Sequence, residues 1–370
     1  MVLRQVAALA SVFSGLSPMA ISAQGLGDSH VFIGSLNPLA APWAAWKEAY
    51  LAADGRVVDA MQQGASHSES QGYGLVLATI FGDNAAFDLI YNWTEQNLAI
   101  RSDALLAWRW LPADSGAVPD LNNASDGDLF YCWALVMRGQ RDGNSAMLDR
   151  AKAIANDLVA KCVVLSPDES GRLLMLPAAQ GFTEEGTANI NLSYYMPLAM
   201  NEVAQATNTP LLTKCAADGV DMMRMLAAEG TMPDWIGVGP NGFFVSPKQS
   251  DRNGYEAMRV ALFLIWSGNR EHPAVAAQLA AYRSAATRER ARLAGGKNVT
   301  VFERRTGAVL EISDHVGYGA LPALIECMQA KGIGSTIPFY RTNNQAYYPA
   351  TLHLMAMIVQ IIATPECVPI

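Results

Sequence analysis

Two aspartates separated by one glycine, Asp126 and Asp128, stand at the head of an apolar run in ASDGDLFYCWAL, residues 124–135. Carboxylates so placed either cap a helix or bind a ligand. Ser125 or Asp126 suits a helix N-cap, and Asp128 then falls in the first turn, where the helix dipole favours negative charge. Capping alone accounts for an isolated S-D-G-D. A second acidic segment, SHSESQGYG (66–74), sets Glu69 just before the apolar run 75–81. A carboxylate accepting N–H bonds at a helix head has a lowered pKa. Glu69 therefore donates a proton only if burial against neighbours such as Tyr73 and Trp93 outweighs the helix. Standing alone, it reads as a solvated loop residue.

These residues need a scaffold, and hydrophobic periodicity supplies one. Apolar residues recur at spacings near three and four over 43–53, 73–81, 85–97, 128–138, 145–162, 193–207, 211–229, 255–267, 274–293, 319–331 and 345–363. The expected fold is all-α, with the helices in a closed double ring and the active residues in loops at one end. Loops at 111–123, 166–191, 232–251 and 332–344 are long for connectors, and long loops on a helical scaffold carry function. Residues 172–176 and 299–312 alternate as small β-hairpins do. No linker or charge block divides the chain, so residues 24–370 read as a single domain.

The composition, 51% apolar and 16% charged, with mean hydropathy +0.12, is that of a folded globular protein. A net charge of −8 argues against nucleic acid or an anionic membrane as partner and favours a neutral ligand. Residues 1–23 carry Arg4, an apolar stretch from Val6 to Leu16 and small residues near Ala23, which reads as a signal peptide for periplasmic or secreted export. Ser14, Gly15, Ser17 and Pro18 interrupt that run before the ~18 to 20 apolar residues of a membrane span accumulate. No later segment reads as a span. The five cysteines contain no C-x-x-C pair, which disfavours a zinc site; Cys132, among Phe130, Tyr131 and Trp133, fills core space.

Taken together the motifs resemble glycoside hydrolase family 8, in particular the secreted endoglucanases encoded with bacterial cellulose synthesis machinery. The resemblance covers nearly the whole mature chain: SESQGYG with Glu69, NWTEQNL with Trp93, LLAWRW with Trp108 and Trp110, ASDGD, SYYMP with Tyr194, MPDW with Asp234 and Trp235, and GYEAMRV with Arg259. It implies an (α/α)6 barrel that hydrolyses β-1,4-glucan with inversion, without metal or cofactor, in association with cellulose synthesis. Inversion needs one protonated carboxyl beside the glycosidic oxygen and one carboxylate activating water opposite it, roughly 6.5 to 9.5 Å apart. By motif position Glu69 is the general acid, with a raised pKa, and Asp126 is an ionised grip on the sugar ring. Asp128 either joins that grip or braces the turn.

The departure lies in the base. The resemblance implies an aspartate in Y-D-A-x-R, whereas this chain reads Tyr255, Glu256, Ala257, Met258, Arg259. One extra methylene shifts the carboxylate by about a bond length, and a misplacement of ~1 Å can cost ~100-fold in rate. Glu256 is then a base of adjusted geometry, a crippled base, or a simple i,i+3 partner of Arg259, with Asp251 as a further candidate. Sugar rings pack on flat aromatic faces, and Tyr73, Trp108, Trp110, Tyr194, Trp235 and Tyr255, together with Arg259, are the expected substrate contacts. Trp43, Trp46, Trp133 and Trp266 belong to helical patterns and to the core.

Two rivals use the same residues. D-x-D binds a divalent metal and diphosphate in many transferases, but the chain has no Gly-rich phosphate loop and no nucleotide-binding half. Alternatively Glu256 leaves a glucan-binding protein with little turnover. Within hydrolases, xylan, chitosan and mixed-linkage glucan are the alternative substrates.

Overall fold

Every segment with three-four periodicity forms a helix. The structure, a computed structural model, describes residues 38–112, 117–329 and 334–367; the export segment 1–23 lies outside them. The helices are α1 (Ala40–Tyr50), α2 (Ser68–Ile80), α3 (Asn84–Asn97), α4 (Ser125–Asp142), α5 (Ser145–Cys162), α6 (Pro197–Thr207), α7 (Pro210–Ala227), α8 (Met258–Trp266), α9 (Pro273–Arg288), α10 (Ala320–Gln329) and α11 (Tyr347–Ala363). Proline opens α6, α7 and α9, where a missing N–H costs nothing. Asp83 caps α3 by accepting from Ala86 N, and Asn144 caps α5 by accepting from Met147 N.

Helices α2, α4, α8 and α11 are buried on nearly every face, as inner helices must be. They pack in succession, α2 on α4, α4 on α6, α6 on α8 and α8 on α11. Helix α1 closes the ring: Trp46 donates from Nε1 to Thr351 Oγ1 of α11 at 2.9 Å, and Trp43 stacks on Phe81 at the end of α2. Helices α3, α5, α7 and α9 bury one stripe each and lie outside. The fold is the expected all-α (α/α)6 barrel. Trp43, Trp46, Trp133 and Trp266 are all core, and the five cysteines are buried thiols.

Two expectations need correction at helix starts. Helix α2 begins at Ser68, five residues before the periodic run, because Ser70 Oγ accepts from His67 N at 3.0 Å and starts the helix within a polar segment. Helix α4 is capped by neither Ser125 nor Asp126: Ala124 is its N-cap, and Ser125 instead donates from Oγ to Leu176 O (2.7 Å) and from N to Pro177 O (2.8 Å). The two aspartates are thereby free of the capping role that accounted for them.

The strands are short and antiparallel. β1 (Ser66–His67) pairs with β2 (Arg109–Trp110), β3 (Val163–Leu165) with β4 (Leu173–Met175), and β9 (Asn298–Phe302) with β10 (Val309–Ser313), the last two pairs answering the alternation at 172–176 and 299–312. The order β5-β6-β7-β8 joins β5 (Thr183–Glu184), β6 (Thr187–Ile190), β7 (Ile236–Gly239) and β8 (Gly242–Phe244), so two long loops pair with each other, Ile190 opposite Ile236.

Helices α2 and α4 run side by side in the same direction, and two glycines let them approach. A Cβ at Gly72 would lie 3.0 Å from Phe130 Cβ and from Tyr131 N; one at Gly127 would lie 2.2 Å from Ser68 Oγ and 2.7 Å from Glu69 N. Local helix propensity favours Gly127→Ala by ~1 kcal/mol, but overpacking against a neighbouring backbone costs about 1–3 kcal/mol. The clash wins: Gly127→Ala lowers the urea midpoint of unfolding, and an unchanged or higher midpoint would show that the two helices are not in this contact.

Candidate active site

The inner helices present their first turns to one end of the barrel. Glu69 is the second residue of α2, Asp126 of α4, Arg259 of α8 and Tyr348 of α11. Arg259 is the hub, its side chain 1% exposed. Its Nη1 donates to Glu69 Oε2 (2.8 Å) and Tyr73 OH (3.0 Å), with Asp126 Oδ2 at 3.5 Å; its Nη2 donates to Ser193 Oγ (2.8 Å) and to Glu256 Oε2. Four distant segments thus meet on one guanidinium.

Glu69 and Glu256 keep side-chain exposures of 24% and 32%, while Asp126 has 1%. Glu69, Glu256, Arg259, Tyr255, Tyr318 and Tyr348 line one cavity of about 560 Å³, together with Asp59, Met61 and His315. Glu256 is more than a helix-surface partner of Arg259: Asn191 Nδ2 (3.0 Å) and Ser193 Oγ (3.3 Å) also bond its Oε2, and Oε1 has no protein partner among the described residues. Asp251 does not line the cavity.

The proton sits where the sequence did not place it. Glu69 and Asp126 share a hydrogen bond between carboxyl groups. Burial raises Glu69, but the Arg259 guanidinium and the bond from Asp126 outweigh it, and its carboxyl lies below its ordinary value. Burial and the adjacent Glu69 charge hold Asp126 well above the carboxylate range. The expectation of a raised Glu69 and an ionised Asp126 is therefore reversed in the free protein. The two carboxyls are coupled, and Arg259, nearer to Glu69 than to Asp126, favours the charge on Glu69 over the charge on Asp126.

Asp128 is a brace. It is fully buried, Oδ1 accepting from Leu106 N (2.8 Å) and Oδ2 from Asn123 Nδ2 (2.9 Å), with its pKa pushed up to about 7 by burial. Both oxygens are committed to the protein, so the alternative of a sugar contact is withdrawn. Tyr73 is likewise buried beneath the cavity, where its hydroxyl accepts from Arg259 rather than facing a sugar.

The aromatics fall into two groups. Trp235 is half-buried, stacks on Phe182 (5.8 Å, 8° between planes) and meets Tyr194 edge-on at 6.1 Å; Tyr194 in turn lies 5.8 Å from the Arg259 guanidinium. Trp108 stacks near His67 at 6.0 Å and accepts Ser68 N at its carbonyl, which sets it beside the head of α2. Trp110 packs edge-on against Trp93 on α3 and beneath the Arg56 guanidinium, so Trp93 is Trp110's neighbour and not Glu69's. Tyr255, 42% exposed, lines the cavity and hydrogen-bonds Glu311. The sequence did not single out Asn191, Ser193, Phe182 or Tyr348. Asn191 and Ser193 flank Leu192 just before Tyr194, and Tyr348 opens an apolar helix as Glu69 and Asp126 do.

A buried arginine is clamped at one end of an (α/α)6 barrel by carboxylates from the heads of two helices and from the turn before a third. The profile of glycosyl hydrolases family 8 matches residues 30–361, and the chain belongs to that family of glycoside hydrolases. A probable endoglucanase from Novacetimonas hansenii is 32% identical over 233 residues, 62% of this chain and 67% of that protein. An endoglucanase from Cellulomonas uda is 29% identical over 227 residues, 60% of this chain and 62% of that one. Among solved structures, the endo-beta-1,4-glucanase CMCax from Acetobacter xylinum superposes with a TM-score of 0.74 at 28% identity, covering 88% of this chain and 98% of that chain.

The shared proton predicts a pH effect. In Asp126→Asn the proton loses its resting place and Glu69 faces Arg259 alone; a carboxyl with a depressed pKa ionises at lower pH, so the basic limb of kcat/KM moves to lower pH. A basic limb that stays in place or moves upward would disprove the sharing.

Proposed function

We propose that this chain is an exported endo-β-1,4-glucanase that hydrolyses cellulose-like glucan with inversion, working beside bacterial cellulose synthesis. The observation that carries the reading is that Glu69 and Glu256 open on one cavity while bound to the two terminal nitrogens of a single guanidinium. Two hydrogen bonds of about 3 Å plus the guanidinium fork limit their bonded oxygens to a separation of at most roughly 8 Å. That limit admits both the roughly 5 to 5.5 Å of a retaining pair and the lower part of the roughly 6.5 to 9.5 Å of an inverting one, so inversion in this reading rests on the family resemblance.

In this reading a glucan chain lies across the cavity with a glycosidic oxygen at Glu69. Asp126, sealed behind Glu69, passes the shared proton to it, and Glu69 delivers that proton to the leaving oxygen as the C–O bond breaks. Glu256 Oε1 takes a proton from water on the opposite face of the ring, and the water oxygen bonds to the anomeric carbon. Trp235, Phe182 and Tyr194 offer flat faces to sugar rings on one side, and Trp108 is the candidate on another. The names of the related proteins favour β-1,4-glucan over xylan, chitosan or mixed-linkage glucan. Export rests on residues 1–23, and among the described residues no helix is long and apolar enough to cross a membrane.

Reducing ends released from carboxymethyl cellulose test the acid and the base. Glu69→Gln and Glu256→Ala each lose about 10²- to 10⁴-fold in kcat, and NMR of the first products from cellopentaose shows the α anomer. Equal release by the parent and Glu69→Gln sinks the hydrolytic role of this site. Retained β configuration removes inversion, and a parent as slow as Glu256→Ala establishes the glucan-binding alternative.

A further inference from the structure

We propose that Asp234 is a positioning residue that aims Glu256 and ties it to the aromatic platform beside it; this rests on the reading of Glu256 as the base. Asp234 does not line the cavity. Its Oδ1 accepts three backbone N–H groups, from Gly254 (2.9 Å), Glu256 (3.1 Å) and Ala257 (2.8 Å). Those residues form the turn that runs into α8, where Met258 N donates to Gly254 O and Arg259 N to Glu256 O. A carboxylate from a remote loop thus takes the place of a local N-cap, since Ala257 offers none. Burial pushes the Asp234 carboxyl up to about 6, which leaves it ionised, the stronger acceptor, at neutral pH.

The approach is close by construction. A Cβ at position 254 would lie 2.5 Å from Asp234 Oδ2, so the glycine in G-Y-E-A is what admits the carboxylate. The strap has a second strand: Asp234 N donates to Arg252 O at 2.6 Å and Trp235 N to Ser250 O at 3.1 Å. Residues 250–257 are therefore pinned to the dipeptide 234–235. One end of that dipeptide carries the indole that stacks on Phe182; the other holds the backbone from which Glu256 projects. A sugar ring seated on Trp235 bears on the segment that sets the base, so binding energy and base alignment share one rigid element.

A double-mutant cycle on the full chain tests this with cellopentaose, using Asp234→Asn and Asp234→Ala in the parent and in Glu256→Ala. Asp234→Ala lowers kcat about 100-fold with KM within about threefold, the scale of a misplaced catalytic group. Asp234→Asn, whose amide oxygen still accepts, loses about tenfold. In the Glu256→Ala background neither variant lowers kcat further, because a residue acting through Glu256 is silent without it. Far-UV circular dichroism at the assay temperature verifies folding, and if Asp234→Ala unfolds, Asp234→Asn completes the cycle. Parental kcat in Asp234→Ala, a loss confined to KM, or an additive loss in Glu256→Ala overturns the positioning role while the base assignment stands. Parental kcat in Glu256→Ala alone removes the base assignment, and the proposal with it.

Discussion

The arrangement depends on burying one guanidinium at the wrong end of a helix. Arg259 is the second residue of α8, where the helix dipole repels a cation, and it is nearly sealed from water. A charge so placed is tolerated only with opposite charge and hydrogen bonds around it. Glu69 and Asp126 supply these from the heads of α2 and α4, Glu256 from the turn before α8, and Tyr73 and Ser193 add hydroxyl acceptors. Three carboxylates outnumber one cation, so the one bonded to it least closely, Asp126, is the least favoured as an anion. Arg259 therefore fixes the geometry of the site and biases its charges together, while burial and the Glu69 charge hold the deepest carboxyl, Asp126, well above the carboxylate range.

The D-G-D motif serves this arrangement with three different parts. Asp126 enters the arginine cluster, Gly127 lets α4 lie against the head of α2, and Asp128 braces the chain on the other side. The brace reaches further than one bond. Asn123, which donates to Asp128, also accepts Ala179 N at 2.7 Å and bonds the Cys162 sulfur. The head of α4 is thereby joined to the 166–191 loop, which carries Phe182 and leads into Asn191 and Ser193. Rigid supporting bonds of this kind hold a site to the tolerance that general acid and base chemistry needs.

The helices were legible because apolar residues at spacings of three and four have one stable solution in a double-ring core, and core tryptophans announced themselves within those patterns. Their first turns were harder to read, for a functional reason. Ser68 to Gly72 and Ser125 to Asp128 are mostly polar and pack against each other, all buried but Glu69, so periodicity places the starts at 73 and 128 and leaves Glu69 and Asp126 ahead of the periodic runs. The four-stranded sheet escaped notice because strands of two to four residues carry too little alternation. Asn191 and Ser193 reach Glu256 across more than sixty residues, and the protonation of Asp126 depends on an arginine 133 residues away. Neither relation has a local signature; motif resemblance named Glu69, Asp126 and Arg259, but only packing could say which carboxyl holds the proton.

Glutamate at position 256 follows from how its two ends are held. Its backbone is pinned by Asp234, so a change of side-chain length cannot be absorbed by moving the turn. At the other end Oε2 is held by Arg259, Asn191 and Ser193. An aspartate on the same fixed backbone would stop about a bond length short of that clamp, and loss of the clamp would leave Arg259 with one fewer buried counter-charge. The additional torsion of glutamate would ordinarily blur the position of a base, at an ordering cost of up to about 2 kcal/mol, but the Arg259 and Asn191 donors on one oxygen restrict it. They also divide the work of the carboxylate: Oε2 belongs to the scaffold, and Oε1 alone is left for water. The longer side chain is therefore matched to its surroundings, which is what the proposed reading of Glu256 as the base requires.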